Sequence, residues 1–514
     1  IITYIIGRHV DSKTSDGLVF IGESFAKLVP FSDSSAKAFD NLKQAFLTFE
    51  KDIRDLEGLP LQLRQISAID PQLRGSSTLP PVFGPSNPMK IPADVLIQFE
   101  GSGRWPDDVI AIQRTKIAFL LKIGALLQDA NDSIDTRVGL ENEDSKLQNC
   151  AFLDVRYDAG AIFRLRIHND REQTLLEHIL KDKFTDSRTR EDAVLALSAY
   201  KRTFVQLPVL TQSIATHCTR FPLLSPTIRL VKLWFEHHML SGHVSGELIE
   251  LLVSRIFMSP YPWRVPSSVM SGFLRTLMFI ERWDWRHQPL IVDFTGTMTS
   301  KDVAAANTRL EAWRKLDSGM NRTVIFAASN HDTSGVAFTD QGPSKVGAAR
   351  MTSLASSAYQ LVKEKGLSLE PRALFATSTA DYDFVTHISS NHGSDGKQKT
   401  STKPKYKNLA VQSEGSFDGV GYEPVQLFIS ELKRSYASSV VFFHGNGAVS
   451  HIGGLWNPQS LSARPLKINL AYATTISKGQ DESEVENVEI DKSTILSEIA
   501  RLGGDIVSKI EVRR

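Results

Sequence analysis

The chain has 514 residues, 41% of them hydrophobic and 23% charged, which is more than one hydrophobic core usually supports and predicts about three domains. Lys and Arg total 59 against 58 Asp and Glu, a formal net charge of +1, whereas a protein that coats DNA is usually more basic overall, so any RNA contact has to come from local patches. Only two cysteines occur, Cys150 and Cys218, in no metal-ligand spacing, which argues against a disulfide framework or a structural zinc site and fits a reducing compartment.

No apolar run approaches membrane-spanning length. The opening Ile1-Ile2-Thr3-Tyr4-Ile5-Ile6 is short and lacks a basic flank, unlike a signal peptide, and the chain reads as part of a longer polypeptide.

In chain order, a first region (1–185) mixes helices and strands. Phe39, Leu42, Phe46, Phe49 and Ile53 recur at helical spacing and predict a helix over 35–56. Strands are expected over 61–69 and 95–99, separated by a loop marked by Pro80, Pro81, Pro85 and Pro88. Gly101-Ser102-Gly103 leads to Pro106-Asp107, which open a helix to about residue 128. A strand pair over 151–157 and 161–167 follows.

A second region (186–345) is mainly helical, with helices over 228–240, 247–258 and 269–283, and Ser245 as a cap for the second. In the third region (346–514), helices are expected over 351–365, 425–436 and 494–510. Strands are expected over 373–379, 440–444, 448–456 and 466–474. A sheet with helices on one side, ferredoxin- or RRM-like, is the natural packing. Residues 391–408, rich in Ser, Gly, Thr and Lys, read as a mobile insertion. The fold class is α+β.

Catalytic motifs fail on inspection. Gly22-Glu23-Ser24-Phe25-Ala26 looks like a nucleophile elbow, but Ala26 replaces its second glycine. The oxyanion-like loop Phe443-His444-Gly445-Asn446-Gly447 follows it instead of preceding it. Gly101-Ser102-Gly103-Arg104 lacks the Gly-Lys-Ser/Thr ending of a phosphate loop. His237, His238 and His243 include no pair one helical turn apart, and read as structural.

A nucleotidyltransferase needs a Gly-Ser turn beside a strand with two alternating carboxylates, and a third on a neighbouring strand, to hold two metal ions. Gly101-Ser102 follows a strand, but Asp107 and Asp108 are adjacent at a helix start, where acids complement the dipole, and Asp154 and Asp158 stand four apart. The expectation is a degenerate nucleotidyltransferase head with no catalytic residue, metal or cofactor.

These residues resemble the Nrap (nucleolar RNA-associated protein) family. The resemblance lies in Leu59-Pro60-Leu61, Pro71-Gln72-Leu73-Arg74, the run Ile97 through Asp108, Lys116-Ile117-Ala118-Phe119 and Phe163-Arg164-Leu165-Arg166-Ile167. Arg282-Trp283-Asp284-Trp285 and Pro289-Leu290-Ile291-Val292 extend it. Ile228 through Trp234 is similar to the helical domain of poly(A) polymerases and oligoadenylate synthetases.

The resemblance implies the second of two tandem CCA-adding-enzyme modules, with head, poly(A) polymerase/oligoadenylate synthetase-like neck and ferredoxin/RRM-like body. It implies a nucleolar, non-catalytic RNA- and protein-binding scaffold of the small-subunit processome. Its implied partners are pre-ribosomal RNA, a ribosomal-RNA-processing protein and casein kinase two, with no membrane. An active template-independent nucleotidyltransferase and a pure protein-interaction platform are the alternatives.

For RNA contact, Lys397, Lys399, Lys403, Lys405 and Lys407, with Tyr406 for stacking, form a basic stretch. Arg164, Arg166 and Arg171 are a second set; a solvated loop and an ordinary strand face are the competing readings. Phe442 and Phe443 are read as core. Ser483, inside the acidic run 481–486, is a candidate casein kinase two phosphosite.

Overall fold

The computed structural model describes residues 33–340, 342–389, 417, 419–446, 449–462, 464–465, 473–476 and 487–513. They fall into two units, whose described parts lie within Ile1–Lys232, Ser245–Pro371 and Glu414–Gly421, and within Leu233–Val244, Arg372–Ser413 and Tyr422–Arg514.

In the first unit the expected amphipathic helix is α1 (Asp33–Arg54), whose Leu42, Phe49 and Ile53 are buried. Next come β1 (Leu63–Ala68), β2 (Ala93–Phe99), α2 (Val109–Ala130), β3 (Ile134–Glu141), β4 (Cys150–Tyr157) and β5 (Ile162–His168). Asp108 caps α2 by accepting from the Ala111 amide at 2.8 Å.

The strands make one sheet in the order β1-β2-β5-β4-β3. The β2–β5 pair is parallel, and the other neighbours run antiparallel. Strand side chains alternate between faces, and one set (Val95, Ile97, Leu153, Val155, Phe163, Leu165) meets α1 and α2 in the core. Phe49 stacks on Phe163 there, with ring centroids 4.8 Å apart. The β4–β5 turn needs Gly160 (φ +90°), where a Cβ would also overlap the Gly84 carbonyl.

Helices α3 (Asp170–Lys181) and α4 (Ser187–Tyr200) follow, and a π-helical turn at Lys201–Gln206 leads into α5 (Leu207–Arg220). Then come α6 (Leu224–His237), which crosses the unit boundary, α7 (Gly246–Met258), α8 (Val269–Arg282), β6 (Leu290–Val292), α9 (Ser300–Leu316), β7 (Ala327–Ser329) and α10 (Lys345–Lys365). Ser245 caps α7 through the Leu248 amide, as anticipated.

One buried ion cluster ties the β1–β2 connection to α7. Arg74 donates from Nε and Nη2 to Glu250 at 3.0 Å, and also to the Ile69 carbonyl (2.6 Å) and Thr211 (3.1 Å). Lys232 and Ser76 reach the same carboxylate at 2.7 and 2.6 Å. Burial opposes the Glu250 charge, but Arg74 and Lys232 hold its pKa down to about 2.

The second unit contains β8 (Phe384–Ile388), α11 (Pro424–Tyr436), β9 (Val440–Phe443), β10 (His451–Trp456), β11 (Arg464–Pro465), β12 (Thr474–Ile476), β13 (Asn487–Ile490), α12 (Lys492–Gly503) and β14 (Val507–Val512). The main sheet is β14-β8-β10-β9, antiparallel throughout. Its core joins Phe384, Phe442 and Ile452 to Phe428, Leu432, Ile495 and Ile499 of the two helices. Strands β11, β13 and β12 form a separate small sheet.

The structure corrects two expectations. Residues 373–379 form no strand: Pro371–Phe375 is a 3-10 turn, and the apolar alternation that pairs is Phe384–Ile388. The last helix does not run to 510. Gly504 at φ +47° closes α12, and Val507–Val512 then pairs with β8. Of the expected strand over 466–474, residues 466–472 lie outside the described residues, as do the serine turn at 22–26 and the insertion over 391–408. Among the described residues no helix is long and apolar enough to cross a membrane.

Candidate functional site

The outer face of the five-stranded sheet is where two-metal chemistry would have to sit. On β2 the positions on the face turned away from α1 and α2 are Asp94, Leu96 (buried against Leu176, Tyr200 and Phe204) and Gln98, and on the parallel neighbour β5 they are Arg164, Arg166 and His168, paired 94 to 164, 96 to 166 and 98 to 168. One carboxylate is present on β2. Its alternate position is leucine, and the neighbouring strand presents arginines.

The charges form a chain that alternates in sign across four strands. Arg166 bonds Asp94 and reaches both oxygens of Glu141 at 2.8 and 2.9 Å. Arg164 bonds Glu141 at 2.9 Å and grips Asp154 through Nε (2.7 Å) and Nη2 (3.0 Å). Arg137 adds a contact to Asp154 at 2.7 Å. Three guanidiniums thus meet three carboxylates, and each bond uses a charged donor and acceptor. Phe152 extends the layer: the Arg164 guanidinium lies 3.8 Å from its ring centroid, and Gly139 opposite leaves space that a Cβ would take.

Burial raises the Asp94 pKa while Arg166 pulls it back. Burial, reinforced by the Asp94 charge, pushes Asp70 up to about 6. Asp70 accepts from the Asp94 amide at 3.3 Å and from the Gln72 amide at 2.7 Å. Asp94 and Glu141 raise the Arg166 pKa against the opposing effect of burial.

The Arg137 end of the chain is partly covered. Arg137 lies 5.0 Å from the Phe417 ring centroid and touches the Phe417 and Val420 carbonyls at 3.4 Å. The Gly421 amide bonds the Lys90 carbonyl at 2.7 Å, and Arg164 lies against Gly421 so closely that a Cβ there would be 3.1 Å from its Nη2.

Of the residues expected to touch RNA, Arg164 and Arg166 are largely buried within this chain of charges, so an RNA contact by either would have to displace a carboxylate. Arg171 pairs with Asp107. Lys397, Lys399, Lys403, Lys405, Lys407 and Ser483 lie outside the described residues. Gly101 and Ser102 stand on the link to α2, where Ser102 Oγ accepts from the Arg104 amide at 3.2 Å.

Asp154 is fully buried. His238 and His243 bond the Leu374 and Phe442 carbonyls at 3.0 and 3.1 Å; Phe442 and Phe443 are buried. Among the described residues, no group of three or more His, Cys, Asp and Glu is placed to hold a metal ion.

Sequence reasoning missed Asp70, Asp94, Arg137 and Glu141. Asp70 and Asp94 lie before Gly101-Ser102, whereas the expected acids lie after it, and Arg137 and Glu141 stand on β3, for which the sequence predicts no strand. Alternation within Ala93–Phe99 would have exposed Asp94 and Leu96.

Three consecutive models of one family match the chain: "Nrap protein nucleotidyltransferase domain 4" over 24–219, "Nrap protein PAP/OAS1-like domain 5" over 221–377 and "Nrap protein domain 6" over 379–510. The chain belongs to the Nrap family. It carries the nucleotidyltransferase/poly(A) polymerase-like fold of those domains.

U3 small nucleolar RNA-associated protein 22 of Schizosaccharomyces pombe is 32% identical over 519 residues, covering 100% of this chain and 45% of that relative. Nucleolar protein 6 of Mus musculus is 26% identical over 555 residues, again 100% and 45%. The Nrap chain thus spans about 45% of these relatives' length. Among solved structures, Cid1 poly(U) polymerase aligns at a TM-score of 0.40 and 12% identity, over 72% of this chain and 99% of that one.

Proposed function

We propose that this Nrap chain is a non-catalytic RNA- and protein-binding scaffold in small-subunit ribosome biogenesis. The observation that carries catalytic silence is the pair Arg164 and Arg166 on β5 beside Asp94. A third metal-binding carboxylate belongs on such a neighbouring strand; two guanidiniums there repel a divalent cation and neutralise the remaining acid. The names of the relatives, a U3 small nucleolar RNA-associated protein and a nucleolar protein, support pre-ribosomal RNA as ligand and the nucleolus as location.

The second unit reads as a ferredoxin/RRM-like body, supported by the order β8-α11-β9-β10-α12-β14 of its main-sheet strands and their two helices, with the small β11–β13 sheet inserted before α12. Lys397, Lys399, Lys403, Lys405 and Lys407 are the proposed phosphate contacts, and Ser483 the proposed casein kinase two site. That kinase and a ribosomal-RNA-processing protein are the proposed protein partners.

The test combines two assays on the purified chain. Incubation with RNA, magnesium and labelled nucleotides is expected to give no incorporation; extension of the RNA would establish a template-independent transferase, the reading that the neighbouring acids Asp70 and Asp94 favour. Ultraviolet crosslinking to RNA is expected to succeed. Replacing the five lysines by Gln should lower affinity and flatten its salt dependence by about 0.7 for each phosphate no longer neutralised on a single strand. No crosslink at low salt would leave a protein-interaction platform.

A further inference from the structure

Away from the charged sheet face, the first unit carries an open apolar groove. It lies between α8, α10 and the segment around Trp263, has a volume of about 200 Å³, and is walled by Trp263, Leu274, Leu277, Met278, Tyr359 and Val362. Clefts for drug-sized ligands run to roughly 300–1,000 Å³. This one is a socket for one or two side chains. Its lining is nearly all carbon, so it lacks the donors and acceptors that would read a nucleobase edge.

The aromatic wall is held in place. Arg275 lies 5.3 Å from the Trp263 ring centroid and donates to the Arg264 carbonyl at 2.5 Å. Arg282 lies 5.7 Å from the Tyr359 ring centroid and approaches its hydroxyl at 3.4 Å. Trp263 is nonetheless 47% exposed and Tyr261 90% exposed, an unusual surface position for two large aromatic residues.

The rim is basic. Arg275 is part of the wall and Arg282 stands beside Tyr359, while on α10 Lys363 follows Tyr359, and Lys365 follows Val362, by one helical turn; residues 253–278 contain no acid. The acid on α8, Glu281, is engaged with Arg282 at 3.4 Å. An apolar socket bordered by Arg275 and Arg282 complements an apolar side chain flanked by carboxylates.

We propose that this groove docks a short acidic segment of a partner protein, which inserts one bulky apolar side chain between α8 and α10 against Trp263. The contact is independent of RNA binding, because it uses neither the charged sheet face nor the lysine stretch. The rim arginines steer the acids, and the aromatic wall supplies the buried anchor that usually dominates such interfaces.

The test pans a random-peptide library over the full chain and measures binding of the enriched peptides by fluorescence anisotropy. The expected consensus pairs a bulky apolar residue with Asp or Glu. Its affinity should fall at least roughly tenfold, about 1.4 kcal/mol, in Trp263→Ala and in Arg275→Glu. Should either variant lose its native circular dichroism, Lys363→Glu with Lys365→Glu, both exposed, tests the rim alone and should also weaken binding. The proposal is overturned if nothing enriches, if the consensus lacks acids, or if binding ignores these substitutions. It is equally overturned if single-stranded oligouridine displaces the peptides from the groove.

Discussion

Arg74 and Glu250 stand 176 positions apart and meet as a fully buried pair, two guanidinium N–H groups reaching the carboxylate at 3.0 Å. Removing Arg74 strips the buried Glu250 carboxylate of its bidentate partner and leaves it Lys232 and Ser76 alone. Arg74→Met is therefore expected to cost about 3–5 kcal/mol in urea unfolding. An unchanged midpoint would refute the cluster as a structural tie.

The same cluster sets an acid limit. The folded Glu250 pKa, about 2, lies below its ordinary 4.5, so the folded state binds fewer protons than the unfolded one between those values. Its contribution, about 3 kcal/mol at 1.36 kcal/mol per unit, is complete above pH 4.5 and lost as pH falls towards 2. Glu250→Gln should be less stable at neutral pH and show a shallower acid decline. A parallel decline in both proteins would count against the assignment.

Asp70 has the opposite sign. Its folded pKa of about 6 lies above the ordinary 3.8, so the folded state holds the extra proton between them. Stability is expected to fall by about 3 kcal/mol as pH rises from about 4 to 6 through this group. In Asp70→Asn that part of the pH dependence should vanish. Thermal unfolding midpoints across the window measure it.

Arg166 joins Asp94 and Glu141. We expect Arg166→Met to destabilise by about 3 kcal/mol, and Asp94→Asn to recover part of that loss in the double variant, because the orphaned carboxylate is then gone. Simple additivity in chemical denaturation would show that the two side chains do not act together.

Gly139 faces the Phe152 ring. Gly139→Ala should cost about 1–3 kcal/mol by overpacking, and much less in a Phe152→Ala background, where space has been opened. Equal costs in the two backgrounds would place the strain elsewhere.

The elements that were readable in the sequence carried their own periodicity. The stripe from Phe39 to Ile53 became α1, and Ser245 capped α7. Strands β4 and β5 alternate so that Phe163 and Leu165 face the core while Arg164 and Arg166 face outward. What local pattern could not supply was partnership. Asp154 acquires its meaning from Arg164 across a strand pair, and Glu141 from Arg166 two strands away; no spacing along the chain encodes either. The carboxy-terminal misreading has a local cause: Ile506, Val507 and Ile510 continue a helical apolar rhythm past Gly503-Gly504, and only the left-handed turn ends it.

Val420 belongs to the same core as Phe163 and Leu153, yet it falls 43 positions beyond 377, where the family match containing most of the helical part of that unit ends. Cutting the gene at that seam would remove Phe417, Val420 and Gly421 from the sheet they cover and bare the Arg137 end of the charged face. A fragment meant to isolate the head is therefore expected to need this returning stretch to keep its sheet face covered.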